Sequence, residues 1–83
     1  ELVGAKVGNL ERGGRSEAVV VVDVERGSAA WHHGLRAGDI IVGVNRRKVR
    51  SIEELGVQLR ANPRPVGINI LRGDFEITLV LRG

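Results

Sequence analysis

The sequence predicts an α+β fold, a small and mostly antiparallel β-barrel or sandwich capped by two helices. A chain of 83 residues has room for one hydrophobic core and no second one. Its apolar side chains are almost all aliphatic and rich in Val, with one Trp, one Phe and no Met, which favours strands. Two serines, Ser28 and Ser51, stand where helix N-caps are expected, between the predicted strands.

Two strands are predicted before the first helix. Residues 3–10 alternate weakly between apolar and polar positions, and a polar loop follows at 11–17. Residues 18–25 are the strongest predicted strand because apolar residues occupy both of its faces, which is typical of a central, doubly covered strand. The two faces carry Ala18, Val20, Val22 and Val24 on one side, and Val19 and Val21 on the other.

A short helix and a third strand follow. Ser28 is the predicted N-cap of a helix of little more than one turn, and Gly34 suits the left-handed position after its end. Leu35 is placed for the apolar contact of such a helix end. Residues 40–45 predict the next strand, and the basic segment 46–50 connects it onward.

A capping box starts the second helix. We expect the Ser51 side chain to accept from the amide of Glu54, and the Glu54 side chain to accept from the amide of Ser51. Pro63 ends the helix because it lacks an amide hydrogen. The apolar stripe of this helix consists of Ile52, Leu55, Gly56 and Leu59.

Two alternating strands close the chain, joined by a hairpin turn at 72–74. The first places Val66, Ile68 and Ile70 on one face. The second places Phe75, Ile77, Leu79 and Leu81 on one face.

The residue inventory argues against catalysis. The chain has no Cys, three Ser and two His, and the adjacent His32 and His33 point in different directions on a short helix. A nucleophile, base and carboxylate that converge are therefore not expected, nor are the three or four ligands of a zinc site. We expect no catalytic residue, no metal and no cofactor in this chain.

The basic segment 46–50 (Arg-Arg-Lys-Val-Arg) has two interpretations. It is either a phosphate-contacting patch for nucleic acid or another anion, or a solvated connection with Val49 turned inward. Aromatic stacking platforms are absent, so nucleic acid is not an expected partner. The longest apolar run, residues 18–22, is far too short to cross a membrane.

Trp31 also has two interpretations. It either covers the core from the short helix or is an exposed anchor in a protein interface, where Trp is enriched. Because His32 and His33 beside it give the ring a polar setting, we expect Trp31 to be at least partly exposed and to serve as an interface residue.

Residues 27–30 (Gly-Ser-Ala-Ala) and 34–45 (Gly-Leu-Arg-Ala-Gly-Asp-Ile-Ile-Val-Gly-Val-Asn) resemble a PDZ domain. That family usually has Pro where this sequence has Ala29, and Gly where it has Arg46. Residues 49–55 fit the family's second helix, and 67–73 fit the strand and turn after it. The resemblance covers essentially the whole chain.

The N-terminal strand is typical of the permuted, bacterial type of PDZ domain. Residues 2–5, 41–46 and 70–73 are most similar to the second, C-terminal PDZ domain of the periplasmic Deg/HtrA serine endoproteases. The resemblance implies that residues 1–83 are a single domain of a larger periplasmic protease, whose catalytic triad lies on an upstream domain. The alternatives are a PDZ domain of a site-2 or C-terminal-processing protease, or a free-standing peptide-binding scaffold.

The resemblance also implies a binding site. A PDZ domain adds an extended peptide to a sheet edge beside its second helix. Here the loop for a peptide carboxylate falls either at Val3-Gly4-Ala5 or at Glu1-Leu2 and upstream. The implied partners are peptides or unfolded-protein segments, and neighbouring PDZ or protease domains or protomers. The implied peptide-binding residues are Leu2, Val3, Gly4, Ala5 and Val7 on the edge strand, and Ile52, Gly56 and Leu59 on the helix.

Overall fold

Six strands and two helices make up the protein in a computed structural model that describes residues 2–82. The strands form one antiparallel sheet in the order β1-β2-β3-β5-β6, with the short β4 paired to β3 at its side. The predicted α+β class and the element order of the permuted type are confirmed. The elements are β1 (Ala5–Arg12), β2 (Arg15–Val24), α1 (Ala29–His32), β3 (Ile40–Val44), β4 (Arg47–Lys48), α2 (Ile52–Ala61), β5 (Val66–Arg72) and β6 (Phe75–Leu81).

The core lies between one face of the sheet and the two helices. Leu35, three residues after the end of α1, and Leu55, in the middle of α2, attach the helices to it. The strands contribute the fully buried Val19, Val21, Ile41, Val44, Val66, Ile68, Ile70 and Leu81. Phe75 lies on the same face of β6 as Ile77 and Leu79, as predicted. It is nevertheless 73% exposed, because it lies at the hairpin end of the strand, beyond the core.

The predicted faces of β2 are wrong in its second half. Val22 is 55% exposed, although Val24 is buried. Lys6 pairs with Asp23 and Val7 with Val21, so Val22 is the extra residue of a β-bulge. The bulge changes the phase of alternation, and both Val21 and Val24 therefore point into the core. A second register shift follows Leu10, where Leu10 pairs with Ala18 and Glu11 with Ser16.

The polar loop predicted at 11–17 is largely strand. β1 continues to Arg12 and β2 begins at Arg15, so the connection is the pair Gly13-Gly14. Both glycines have positive φ angles, 60° and 78°. A two-residue turn of this kind matches the twist of the two strands and keeps them paired to the end.

A second tight turn joins β3 to β4 within the predicted basic connection. Asn45 and Arg46 have φ angles of 49° and 68°, which non-glycine residues adopt at a cost. Hydrogen bonds offset this cost: Asn69 Oδ1 accepts from the Arg46 amide, and Asn45 Oδ1 accepts from the Gly67 amide, both at 2.8 Å. Val49 is fully buried, which supports the interpretation of the basic run as a solvated connection.

Both helix N-caps are confirmed. Ser28 Oγ accepts from the Trp31 amide at 3.2 Å, and Ser51 Oγ accepts from the Glu54 amide at 3.1 Å. The reciprocal bond differs from the prediction, because Glu54 Oε1 accepts from the amide of Arg50 rather than that of Ser51. The carboxylate thereby holds the residue before the cap. No helix among residues 2–82 has the length and apolar character needed to cross a membrane.

One ion pair joins the segment after α1 to the end of β5. The Asp39 carboxylate is 1% exposed and accepts from Arg72 Nε and Nη2, each at 2.8 Å. It also accepts from the Arg36 amide, while Arg72 Nη2 donates to the carbonyl of Gly34. The hydrogen bonds that Arg72 donates to Asp39, together with the negative charge of Asp39, raise the pKa of Arg72, whereas burial opposes this. The guanidinium is therefore a fixed cation in the fold.

Candidate functional site

An open sheet edge lies beside α2. β1 is the last strand of the sheet, and within residues 2–82 no other strand pairs with its second edge. Ala5 and Val7 are half-buried against the core. Farther along β1, Asn9 Oδ1 accepts from the amide of Ile52 at 2.8 Å, which fixes the start of α2 next to the strand. The free edge of β1 and the adjoining flank of α2 are together called the β1–α2 groove below.

The helical side of this groove consists of three predicted residues. Ile52, Gly56 and Leu59 are spaced by four and three positions and lie along one flank of α2. Leu55 lies next to them and is buried, so the predicted stripe is divided between core and groove. Ile52 is exposed, whereas Gly56 and Leu59 are half-buried. A side chain at position 56 would first meet Arg60 Nη1, 3.1 Å from its Cβ.

The three residues before β1 form a turn that is attached to α1. The Leu2 carbonyl accepts from the Ala5 amide at 3.1 Å, and the Val3 carbonyl accepts from the Ala30 amide at 3.0 Å. The Gly4 carbonyl accepts from Glu25 at 2.8 Å. Val3 is 70% exposed, while Leu2 packs against the core. Leu2, Val3 and Gly4 therefore lie at the mouth of the groove; Glu1 lies outside the described residues.

Gly4 is required by this arrangement for two reasons. Its φ angle is +96°, a conformation that side chains disfavour. In addition, a Cβ at this position would overlap Cβ and Oγ of Ser28, the N-cap of α1. The close approach of the two backbones fixes the turn against α1 and so sets where the open edge of β1 begins.

Sequence reasoning missed two residues of the groove. Asn9 lies two positions after Val7 and therefore on the same side of β1, but it is exposed, and its partner, the Ile52 amide, lies 43 positions away in the chain, so no local pattern marks it. Arg60 follows Gly56 by one helical turn, and its guanidinium covers the space that a side chain at position 56 would fill. Arg60 thus places a positive charge at the edge of the groove.

Trp31 combines features of both predicted interpretations. It is half-buried and packs against the core cluster, so it does cover the core. Its remaining surface faces two cations: the Arg36 guanidinium carbon lies 3.5 Å from the ring centroid, and that of Arg26 lies 5.4 Å away. Arg36 Nη1 also donates to the Trp31 carbonyl at 2.9 Å. The partial exposure expected from the sequence is present.

We expect Trp31→Ala to lower the free energy of unfolding by about 2 kcal/mol, because it removes half-buried apolar area and a cation–π stack. Thermal unfolding followed by circular dichroism measures the change. Arg26→Ala, which removes only the more distant cation, should cost no more than about 0.5 kcal/mol. An unchanged melting temperature for Trp31→Ala would contradict its packing role.

The groups at this site are suited to binding. The groove offers backbone groups, apolar side chains, one amide and one guanidinium, with no nucleophile next to a base. Among residues 2–82, no three or more His, Asp or Glu side chains are grouped as metal ligands. What the site can do is form main-chain hydrogen bonds to an extended chain and enclose its side chains.

Comparisons with known proteins agree with this geometry. A family model described as a PDZ domain matches residues 20–72. The periplasmic serine endoprotease DegP of Escherichia coli K12 is 38% identical over 79 residues, which cover 95% of this chain and 16% of that protein. Protease RseP of Yersinia pestis is 37% identical over 76 residues, or 90% of this chain and 17% of that protein. The chain thus spans about a sixth of the length of these relatives.

A solved structure has the same fold. The PDZ domain of HtrA3, crystallised with a phage-derived ligand of sequence Phe-Gly-Arg-Trp-Val, superimposes with a TM-score of 0.80 at 22% sequence identity. The match covers 96% of this chain and 81% of that one.

Proposed function

Because the chain belongs to the PDZ family, we propose that it binds an extended peptide as an additional strand along the free edge of β1, beside α2. The observation that carries this proposal is the unpaired edge of β1 next to the flank of Ile52, Gly56 and Leu59. Strand addition provides main-chain hydrogen bonds. Every second peptide side chain then faces α2.

The turn at the mouth of the groove supports recognition of a peptide C-terminus. Within residues 2–82, the amides of Val3 and Gly4 donate no hydrogen bond, whereas their carbonyls are bonded to Ala30 and Glu25. Free amides at the start of an edge strand suit a carboxylate. Leu2, half-buried beside them, supplies an apolar contact for the last peptide side chain.

Filling position 56 tests the groove. We expect Gly56→Leu to weaken peptide binding at least tenfold, because the new side chain enters the groove between Ile52 and Leu59. The fold should be retained, since the first atom met is the movable end of Arg60, and removal of a helix-interior glycine stabilises by roughly 0.5–1 kcal/mol. Fluorescence anisotropy of labelled Phe-Gly-Arg-Trp-Val, with and without a C-terminal amide, measures binding.

Ala61→Leu is the matched control. Ala61 is exposed and lies on the other side of α2 from Gly56, so this variant adds similar bulk outside the groove and should bind as the parent does. A Gly56→Leu protein that keeps its peptide affinity would show that the peptide binds elsewhere. Equal affinity for the amidated peptide would refute the role of the Val3 and Gly4 amides.

We propose further that residues 1–83 are one PDZ domain of a larger periplasmic protease of the Deg/HtrA type, the second of two such domains, with catalysis on an upstream domain. The identity to DegP over 95% of the chain supports this. In such a protein, Trp31 would be an anchor for a neighbouring PDZ domain or protomer. Light scattering of the full-length protein with Trp31→Ala should then show smaller assemblies, and unchanged assembly would contradict the anchor.

The similarity to RseP favours a second candidate, the PDZ domain of a different bacterial protease. The chain upstream of Glu1 distinguishes the two. A chymotrypsin-like domain with the sequence Gly-Asn-Ser-Gly-Gly supports the Deg/HtrA assignment, and its absence supports the second candidate.

A further inference from the structure

A second concave surface lies on the face of the sheet that points away from the core. Ile41 and Ile70 pair with each other and are buried in the core. Their neighbours Ile40 and Leu71 also pair, and they point to the opposite side. There they line a cavity of about 730 Å³ that shares no residue with the β1–α2 groove. We call it the outer cavity; its apolar floor consists of Leu10, Ile40, Val42 and Leu71.

Basic side chains from two segments surround this floor. Arg12 and Arg15 flank the turn between β1 and β2, Lys48 is the last residue of β4, and Arg50 lies between β4 and α2. Ser16 Oγ donates to the carbonyl of Arg50 and holds the two segments together. The basic run noted in the sequence thus lies next to two further arginines that are distant in the chain.

The charges of this rim are mostly unpaired. Arg12 lies 3.5 Å from Glu17, the one carboxylate that lines the cavity. Within residues 2–82, the side chains of Arg15, Lys48 and Arg50 form no ion pair and no hydrogen bond. The rim therefore carries a net charge of about +3 around an apolar floor whose outer members, Leu10 and Leu71, are each 38% exposed.

We propose that the outer cavity binds an acidic peptide segment in which carboxylates alternate with aliphatic or aromatic side chains. The carboxylates pair with the arginines of the rim, which present guanidinium groups suited to them, and the apolar side chains cover the floor. Duplex DNA and polyphosphate match the rim but leave Leu10 and Leu71 uncovered. A second copy of this chain carries a net charge of +3 and would place like charges together.

The test uses a seven-residue peptide that alternates Asp with Leu and Phe, acetylated at its N-terminus, amidated at its C-terminus and labelled for fluorescence anisotropy. The amide removes the carboxylate that the β1–α2 groove is proposed to bind, so the two sites are tested separately. We expect saturable binding that weakens with added NaCl. In nitrogen–proton NMR spectra, the amides of Leu10, Ile40 and Leu71 should shift, while those of Val7 and Gly56 stay in place.

Two variants test the rim and the floor. Lys48→Glu combined with Arg50→Glu should weaken binding about tenfold, as expected for the loss of two exposed ion pairs. Leu71→Ser should weaken it about fivefold at unchanged charge. The matched control is Arg47→Glu combined with Arg82→Glu, which changes the net charge equally at exposed positions that do not line the cavity. It should bind within twofold of the parent.

Four outcomes would overturn the proposal. The first is that the acidic peptide does not bind saturably, and the second is that the NMR shifts are confined to Val7 and Gly56. The third is that a peptide with Lys in place of Asp binds as tightly as the acidic peptide. The fourth is that duplex DNA and polyphosphate bind as tightly as the acidic peptide and that Leu71→Ser does not weaken their binding. Circular dichroism of each variant shows that the fold is kept, so a loss of affinity is assigned to the surface.

Discussion

Replacing Asp39 by Ala is expected to lower the free energy of unfolding by about 3 kcal/mol, the low end of the range for breaking a buried ion pair. The carboxylate accepts from three donors, the Arg36 amide and Arg72 Nε and Nη2. Of these, only Arg72 Nη2 has a second acceptor among residues 2–82, the carbonyl of Gly34. The Arg72 side chain is 41% exposed, so in the variant water replaces part of the hydrogen bonding that its guanidinium loses. The melting temperature should fall by about 15 °C, measured by calorimetry.

The exposed pair of Arg12 and Glu17 is the control. Its side chains are 84% and 50% exposed, and Glu17→Ala should cost less than about 0.5 kcal/mol. Asp39→Asn adds a second comparison, because it keeps the shape and removes the charge. Similar losses for Glu17→Ala and Asp39→Ala would mean that the buried pair does not stabilise the junction between α1 and β5.

Gly4→Ala should be nearly as destabilising, at about 3 kcal/mol. Part of the loss comes from the positive φ angle of 96°, and the larger part from overlap between the new Cβ and Ser28. Equilibrium unfolding in urea measures this change in the free energy of unfolding. Because Gly4 also fixes the mouth of the β1–α2 groove, the variant should bind the free-carboxylate peptide more weakly at temperatures where it is folded.

Gly27→Ala separates the two causes. Gly27 has a similar φ angle of 85°, but a Cβ there meets nothing within 4 Å, so only backbone strain of about 1 kcal/mol is expected. If the two variants lose equal stability, the close approach of Gly4 to Ser28 is not what makes glycine necessary.

The helix starts and the buried strands could be predicted because short-range chemistry determines them. Ser28 and Ser51 cap the helices as expected, and Val66, Ile68 and Ile70 are buried in alternation. These features depend on a few neighbouring residues. The residues that determine each feature are close together in the sequence, so the feature can be predicted from that segment alone.

The errors arose where pairing with a distant strand decides the geometry. Nothing near Val22 shows that β1 skips it, since the bulge depends on how Lys6 and Val7 align with β2. The geometry of the turn at Asn45 and Arg46 has a similar distant cause, because the hydrogen bonds that support it, from the Arg46 amide to Asn69 and from the Gly67 amide to Asn45, involve β5.

The candidate groove could be predicted only in outline. Ile52, Gly56 and Leu59 share a flank because helical spacing requires it. The attachment of Leu2, Val3 and Gly4 to α1, and the bond from Ile52 to Asn9, depend on tertiary contacts that no local pattern contains. The outer cavity was beyond prediction altogether, since it brings Arg15 and Arg50 together across 35 positions of sequence.

The bulge at Val22 has a consequence for any chain that adds to β1. A strand that slides along its neighbour by one residue turns every side chain to the other face, and a bulge opposes such sliding because it fits one alignment only. Ala5, Val7 and Asn9 are therefore held toward α2. A strand that adds to β1 can therefore pair with it in one register only. Its alternate side chains then point to fixed and different sides of the sheet.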